Sequence, residues 1–163
     1  MLKEAFEEVL VELARAAQAV YQDRLVTVAV YGSVGRGTMR HDSDVDVLII
    51  ALDLPHGRLQ RVKQFKAVEE ALQPILRRLR DQGVETELSP ILKTPEQATA
   101  GSPLFLDMVE DARILYDRNG FFAQRLSRLR NRLMELGSKR IWRGNTWYWD
   151  LKPDFRPGEV FEL

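Results

Sequence analysis

Between residues 3 and 22 the apolar positions Phe6, Val9, Leu10, Leu13, Ala17 and Val20 recur at helical spacing, with Glu and Arg elsewhere. That pattern predicts an amphipathic helix. Residues 25–31, LVTVAVY, are short, apolar and β-branched, the signature of a buried strand. A Gly-rich stretch, YGSVGRGTMRHDSD, separates it from a second strand, VDVLIIA, over 45–51. Pro55 and Gly57 break the chain. Residues 58–80 then carry Val62, Phe65, Val68, Leu72, Ile75, Leu76 and Leu79 on a long amphipathic helix, with Pro74 as a candidate kink. Gly83 ends that helix, and VETELSPIL over 84–92 reads as a third strand.

Thr94-Pro95-Glu96 is a helix start signal, and further helices are expected over 103–112 and 120–136, the last closed by Gly137. A short edge strand is expected over 114–116. RIWRGNTWYWD predicts two strands around Gly144-Asn145, and LKPDFRPGEVFEL an extended tail. Short strands between longer helices give an α/β (α+β) class, a small mixed sheet flanked by helices. Residues 1–137 are expected to form the domain, with 138–163 an aromatic hairpin and tail packed on it.

Composition narrows the chemistry. The 163 residues are 45% hydrophobic and 29% charged, ordinary for one soluble domain. Lys+Arg 24 against Asp+Glu 24 leaves no net basic field for bulk nucleic-acid binding. Cysteine is absent and histidine occurs only at 41 and 56, which excludes disulfides, thiolate nucleophiles and Cys- or His-rich metal sites. Any metal must sit on oxygen ligands, which suits Mg²⁺ or Mn²⁺. The charged N-terminus does not read as a signal peptide and no stretch reads as a membrane span, so a cytoplasmic protein without membrane contact is expected.

One block carries chemistry: Tyr31-Gly32-Ser33, then Arg36-Gly37, then Asp44-Val45-Asp46. Gly32 lets the backbone turn sharply out of the first strand and approach a ligand. Ser33, opening a short helix, can hold a terminal phosphate with its hydroxyl and neighbouring amides. Arg36, one turn on, can pair with phosphate or with a local carboxylate. Asp44 and Asp46 are two apart on a strand and project from one face. Their mutual repulsion is relieved by divalent cations bridging them to a triphosphate.

This pattern resembles the DNA polymerase β-like nucleotidyltransferase superfamily, in which a glycine-serine turn precedes Asp-x-Asp by about ten residues. GSVGRG and SDVD are similar to its small, minimal nucleotidyltransferases. The clear match spans Tyr31 to Ile50, and element order extends it over about the first two-thirds of the chain. The resemblance implies the nucleotidyltransferase fold, two bound metal ions, and transfer of a nucleoside monophosphate from an NTP, AMP from ATP above all, with pyrophosphate released. It assigns Gly32 and Ser33 to the phosphate turn and Asp44 and Asp46 to the metals. It also implies a third metal-binding carboxylate on a neighbouring strand that helps deprotonate the acceptor. Glu87 is taken for that role, with Glu85 on the same face as the alternative. Aspartate is more familiar there.

The resemblance further implies an acceptor, first a HEPN-type protein partner of an antitoxin, then small hydroxyl compounds. A non-catalytic antitoxin or binding module of the same fold is the alternative. Arg140, Trp142, Arg143, Trp147, Tyr148 and Trp149 could make a single-strand nucleic-acid platform. The plainer reading packs those aromatics against the main sheet under Arg stems. His41 and His56 read as surface residues, Asp42 and Ser43 as loop caps, and Asp107, Glu110 and Asp111 as a solvated helix face.

Overall fold

The computed structural model describes all residues, Met1–Leu163. Four strands form one sheet in the order β3-β2-β1-β4, where β1 is Leu25–Tyr31, β2 Val45–Ala51, β3 Leu88–Lys93 and β4 Arg113–Asp117. β1 pairs antiparallel with both β2 and β4, while β2 and β3 run parallel, so the sheet is mixed.

Apart from Thr27 and Asp46, β1 and β2 are built of apolar residues and Tyr31, because both of their faces are covered. One face, with Val28, Val30, Val45, Val47 and Ile49, packs under α1 (Leu2–Tyr21) and α3 (Arg58–Asp81). Phe6, Val9, Leu10 and Leu13 of α1 and Phe65, Val68, Leu72 and Leu76 of α3 supply the facing layer. The other face, with Ala29, Tyr31, Leu48 and Ile50, packs under α5 (Leu104–Asp111) and α6 (Phe121–Leu136) through Phe105, Met108, Phe122, Leu126 and Leu133. The architecture is helix layer, sheet, helix layer.

Between these lie α2 (Gly32–Arg36) and α4 (Pro95–Ala100). α4 starts at a capping box: Thr94 Oγ1 accepts from Gln97 N and Gln97 Oε1 accepts from Thr94 N. β5 (Lys139–Arg143) and β6 (Thr146–Asp150) form a separate two-stranded sheet.

α3 continues through Pro74 as a single helix. Two expectations are corrected. The third strand begins at Leu88, not at residue 84, because the backbone at 84 and 85 bonds elsewhere: Val84 N donates to Leu79 O at 2.9 Å and Glu85 N to His41 O at 2.8 Å. The aromatic hairpin docks on α5, not on the main sheet, for a reason that lies in two aspartates described below. No helix is long and apolar enough to cross a membrane.

Candidate active site

Antiparallel pairing brings the end of β1 beside the start of β2, and the ladder sets Tyr31 opposite Asp46. The chain leaves β1 at Gly32, whose φ of +65° is left-handed and accessible to glycine without strain. α2 follows at once and closes at Gly37, where Thr38 N donates to Ser33 O at 2.8 Å. Ser33 is therefore held at the opening turn of α2, partly exposed, facing the strand ends.

Asp44 is exposed just before β2 and Asp46 is half-buried within it. Burial raises the Asp46 carboxyl above the usual carboxylate range, and the charge of Asp44 pushes it the same way. Arg36 opposes both. The two acids thus sense each other across a short gap, beside the glycine-serine turn. Tyr31 responds as well: burial, and then the charge of Asp46, push its phenol up to about 12, so it stays neutral.

Arg36 finds a carboxylate. Its Nη1 donates to Asp111 Oδ2 at 3.0 Å, and its guanidinium lies 5.1 Å from the Trp147 ring centroid. Arg140 binds the same carboxylate from the other side, with Nη1 to Oδ1 at 2.8 Å and Nη2 to Oδ2 at 2.9 Å. Glu110 Oε2 accepts a further bond from Arg140. Asp111 is 3% exposed, so the reading of Asp107, Glu110 and Asp111 as a solvated face is corrected for two of the three. Asp107 accepts both hairpin indoles, Trp147 Nε1 at 2.6 Å and Trp149 Nε1 at 2.9 Å. Asp107 and Asp111 lie one turn apart on α5 and together anchor the hairpin. Asp111, Asp107 and Arg140 are neighbours of the site that the motif did not reveal.

Glu87 sits beside Asp44 through its backbone, its N–H donating to Asp44 Oδ1 at 3.3 Å. Its side chain is exposed and close enough to Glu69 of α3 to help raise that carboxyl, after burial has done so first. Glu85 is exposed on the same side of the segment. No three of the acidic and histidine side chains converge into a metal-binding group. His41 and His56 are both exposed, and Asp42 pairs with Arg40 at 3.0 Å within its own loop.

The donor set fits a hard divalent cation to this extent: two carboxylates, one of them desolvated and raised by its neighbour, lie where an added positive charge would relieve both penalties. The trp-rich hairpin fits a nucleic-acid platform less well. The Trp147 and Trp149 indole N–H groups are spent on Asp107, while Trp142 and Tyr148 remain half-exposed.

Comparison with known proteins places this geometry. A family model described as "Nucleotidyltransferase domain" matches residues 11–116. A protein of Methanocaldococcus jannaschii, named as a candidate protein adenylyltransferase, is 30% identical over 132 residues, covering 80% of this chain and 84% of its own. Among solved structures, a chain from a toxin–antitoxin crystal structure with AMP-PNP is 17% identical, with a TM-score of 0.45, covering 76% of this chain and 92% of its own. A chain from a complex of tri-AMPylated Shewanella oneidensis HEPN toxin with MNT antitoxin is 14% identical, with a TM-score of 0.41, covering 77% and 90%. The chain belongs to the nucleotidyltransferase domain family.

Proposed function

We propose that this nucleotidyltransferase moves AMP from ATP to a hydroxyl group on a protein. The observation that carries the reading is the Asp44–Asp46 pair set beside the Gly32-Ser33 turn, inside the matched domain. The name of the Methanocaldococcus relative supports a protein acceptor, and the resemblance of GSVGRG and SDVD to minimal nucleotidyltransferases makes a HEPN-type partner the first acceptor to test.

In this reading Asp44 and Asp46 hold Mg²⁺ or Mn²⁺, with Glu87 as the third carboxylate. A bound divalent ion supplies charge neutralisation at the triphosphate and a Lewis acid at the reacting phosphorus. Ser33 and the α2 amides bind the outgoing phosphates, and Arg36 adds positive charge beside them. The acceptor oxygen attacks the α-phosphorus as its proton passes to Glu87. The bond from the α-phosphorus to the bridging oxygen breaks, and pyrophosphate leaves with that oxygen. Glu87 must swing from its exposed position toward Asp44, a side-chain rotation that its backbone placement permits.

The test is incubation with Mg²⁺, α-labelled ATP and the protein encoded beside this one, followed by detection of labelled protein. Label transfer that disappears in Asp44→Asn and Asp46→Asn supports the reading. Absence of any NTP binding by calorimetry would sink it. The lack of a converged carboxylate group favours one second reading, a binding module that neutralises its partner by contact. That module would bind its partner equally well with both aspartates replaced.

A further inference from the structure

We propose that the C-terminal hairpin is a working part of the nucleotide site, with Trp147 and Arg140 as positioning residues that hold Arg36 in place at the end of α2, the helix that opens on Ser33. The proposal rests on the nucleotide-binding reading above and adds to it a role for residues outside the family motif.

α2 is only five residues long and cannot hold its own shape. Its C-terminal half is fixed from outside. A Cβ at Gly35 would fall within 3.0 Å of the backbone oxygen of Asp111, so α2 and the end of α5 are in direct apposition. Arg36 then reaches the Asp111 carboxylate, which Arg140 already grips with both Nη groups. The side chains of Asp111 and Arg140 are each 4% exposed, whereas that of Arg36 is 23% exposed. Arg36 is therefore the cation of the cluster that solvent still reaches.

Trp147 closes the arrangement. Its ring lies 4.3 Å from the Arg140 guanidinium and 5.1 Å from that of Arg36, and Trp142 backs it at 4.8 Å. The bond from Trp147 Nε1 to Asp107 fixes the plane of the indole. A guanidinium held between a carboxylate and a fixed aromatic face loses its freedom to rotate away. Arg140 is matched by both Asp111 and Glu110, so Arg36 shares its one carboxylate with a cation that holds that carboxylate through two nitrogens. Arg36 stands on the same five-residue helix as Ser33, and only Nη1 of its nitrogen donors is bonded within the chain. A hairpin that served only as a staple could bury Trp149 and Leu151 without stacking Trp147 over Arg36.

The test is a double-substitution cycle read by NTP affinity. Calorimetry with ATP and Mg²⁺ is run on the full chain, Trp147→Ala, Arg36→Ala and the double variant, with melting temperatures alongside. Trp147→Ala is expected to weaken ATP binding about tenfold, and to weaken it no further once Arg36 is alanine. Trp147→Phe is expected to restore most of the affinity, because the flat face remains. Tyr148→Ala, on the exposed side of the hairpin over Arg143, serves as the control and leaves affinity unchanged. The proposal is overturned if Trp147→Ala binds as the wild type does, or if its loss is equal in both Arg36 backgrounds, which marks a structural effect only. If Trp147→Ala does not fold, Arg140→Lys, which cannot grip Asp111 bidentately, enters the same cycle under the same criteria. A wild-type chain that binds no nucleotide removes the nucleotidyltransferase reading itself, a result distinct from a cycle without coupling.

Discussion

Gly32 passes so close to Asp46 that a Cβ added at residue 32 would fall within 3.0 Å of Asp46 Oδ2. The turn that leaves β1 and the acid near the start of β2 are therefore packed directly together, so the glycine-serine half and the Asp-x-Asp half of the motif meet where the Gly32 backbone touches the Asp46 side chain. Glycine is required twice over here, for the contact and for the φ of +65°. Gly32→Ala is expected to cost roughly 1–2 kcal/mol for the left-handed backbone alone. It is also expected to displace the Asp46 carboxylate and lower AMP transfer by about a hundredfold or more. Urea unfolding together with a label-transfer assay checks both. A variant with wild-type transfer would show that Asp46 can move aside without consequence.

Asp46 is costly to the empty protein. Burial and Asp44 raise its carboxyl, so between the ordinary carboxylate range and the raised value the folded chain holds the proton more tightly than the unfolded chain does. Stability from this group is therefore present at low pH and is lost as pH rises through that window. Asp46→Asn is expected to flatten the loss and raise the neutral-pH melting temperature of the ligand-free chain by about 1–3 °C, partial solvation keeping the gain small. The same variant is expected to lose about 10² or more in transfer rate. Calorimetric melting from pH 4 to 8 checks the first expectation. A lower melting temperature in the variant would contradict it.

The bounds of β1 and β2 and the whole Gly32 to Asp46 block were legible in the sequence because local chemistry dictates them. Strands covered on both faces must be apolar throughout, and the block begins where Gly32 permits a turn and ends where two acids interrupt the apolar run. Asp111 was not legible. At helical spacing with Asp107 and Glu110 it reads as a polar face, since its partners Arg36 and Arg140 lie on other elements and no local pattern encodes that pairing. The start of β3 was misread for a related reason: Val84 and Thr86 are buried while Glu85 and Glu87 are exposed, so alternation persists ahead of the ladder, where Val84 N bonds to Leu79 O and Glu85 N to His41 O.

Asp111 is expected to be the most stability-sensitive acid in the chain. Asp111→Ala leaves the Arg140 side chain, 4% exposed, without the carboxylate that two of its nitrogens bind, and Arg140 Nε is already buried without a partner. Removing one member of a buried ion pair costs about 3–5 kcal/mol. Asp111→Asn keeps one acceptor and should cost less. Guanidinium unfolding midpoints of the two variants check the order. A loss under about 1 kcal/mol in Asp111→Ala would mean that water replaces the carboxylate and that the cluster is looser than its geometry indicates.

Glu87 and Glu85 differ in one physical respect, and that difference makes them separable. Both are exposed, but only the backbone of Glu87 is bonded to Asp44. Glu85 N is instead tied to His41 O, in the middle of the loop that precedes β2. The Asp44 bond is what favours Glu87 over Glu85 as the third carboxylate. Glu87→Gln is expected to lower kcat by about 10²-fold, the usual worth of a positioned base, with ATP affinity held within a factor of about three. Glu85→Gln is expected to leave both unchanged. Single-turnover label transfer and calorimetry on the two variants check the pair. Loss of activity in Glu85→Gln with Glu87→Gln intact would reassign the third carboxylate and require the 38–44 loop to rearrange on nucleotide binding, while full activity in both would leave proton removal to water alone.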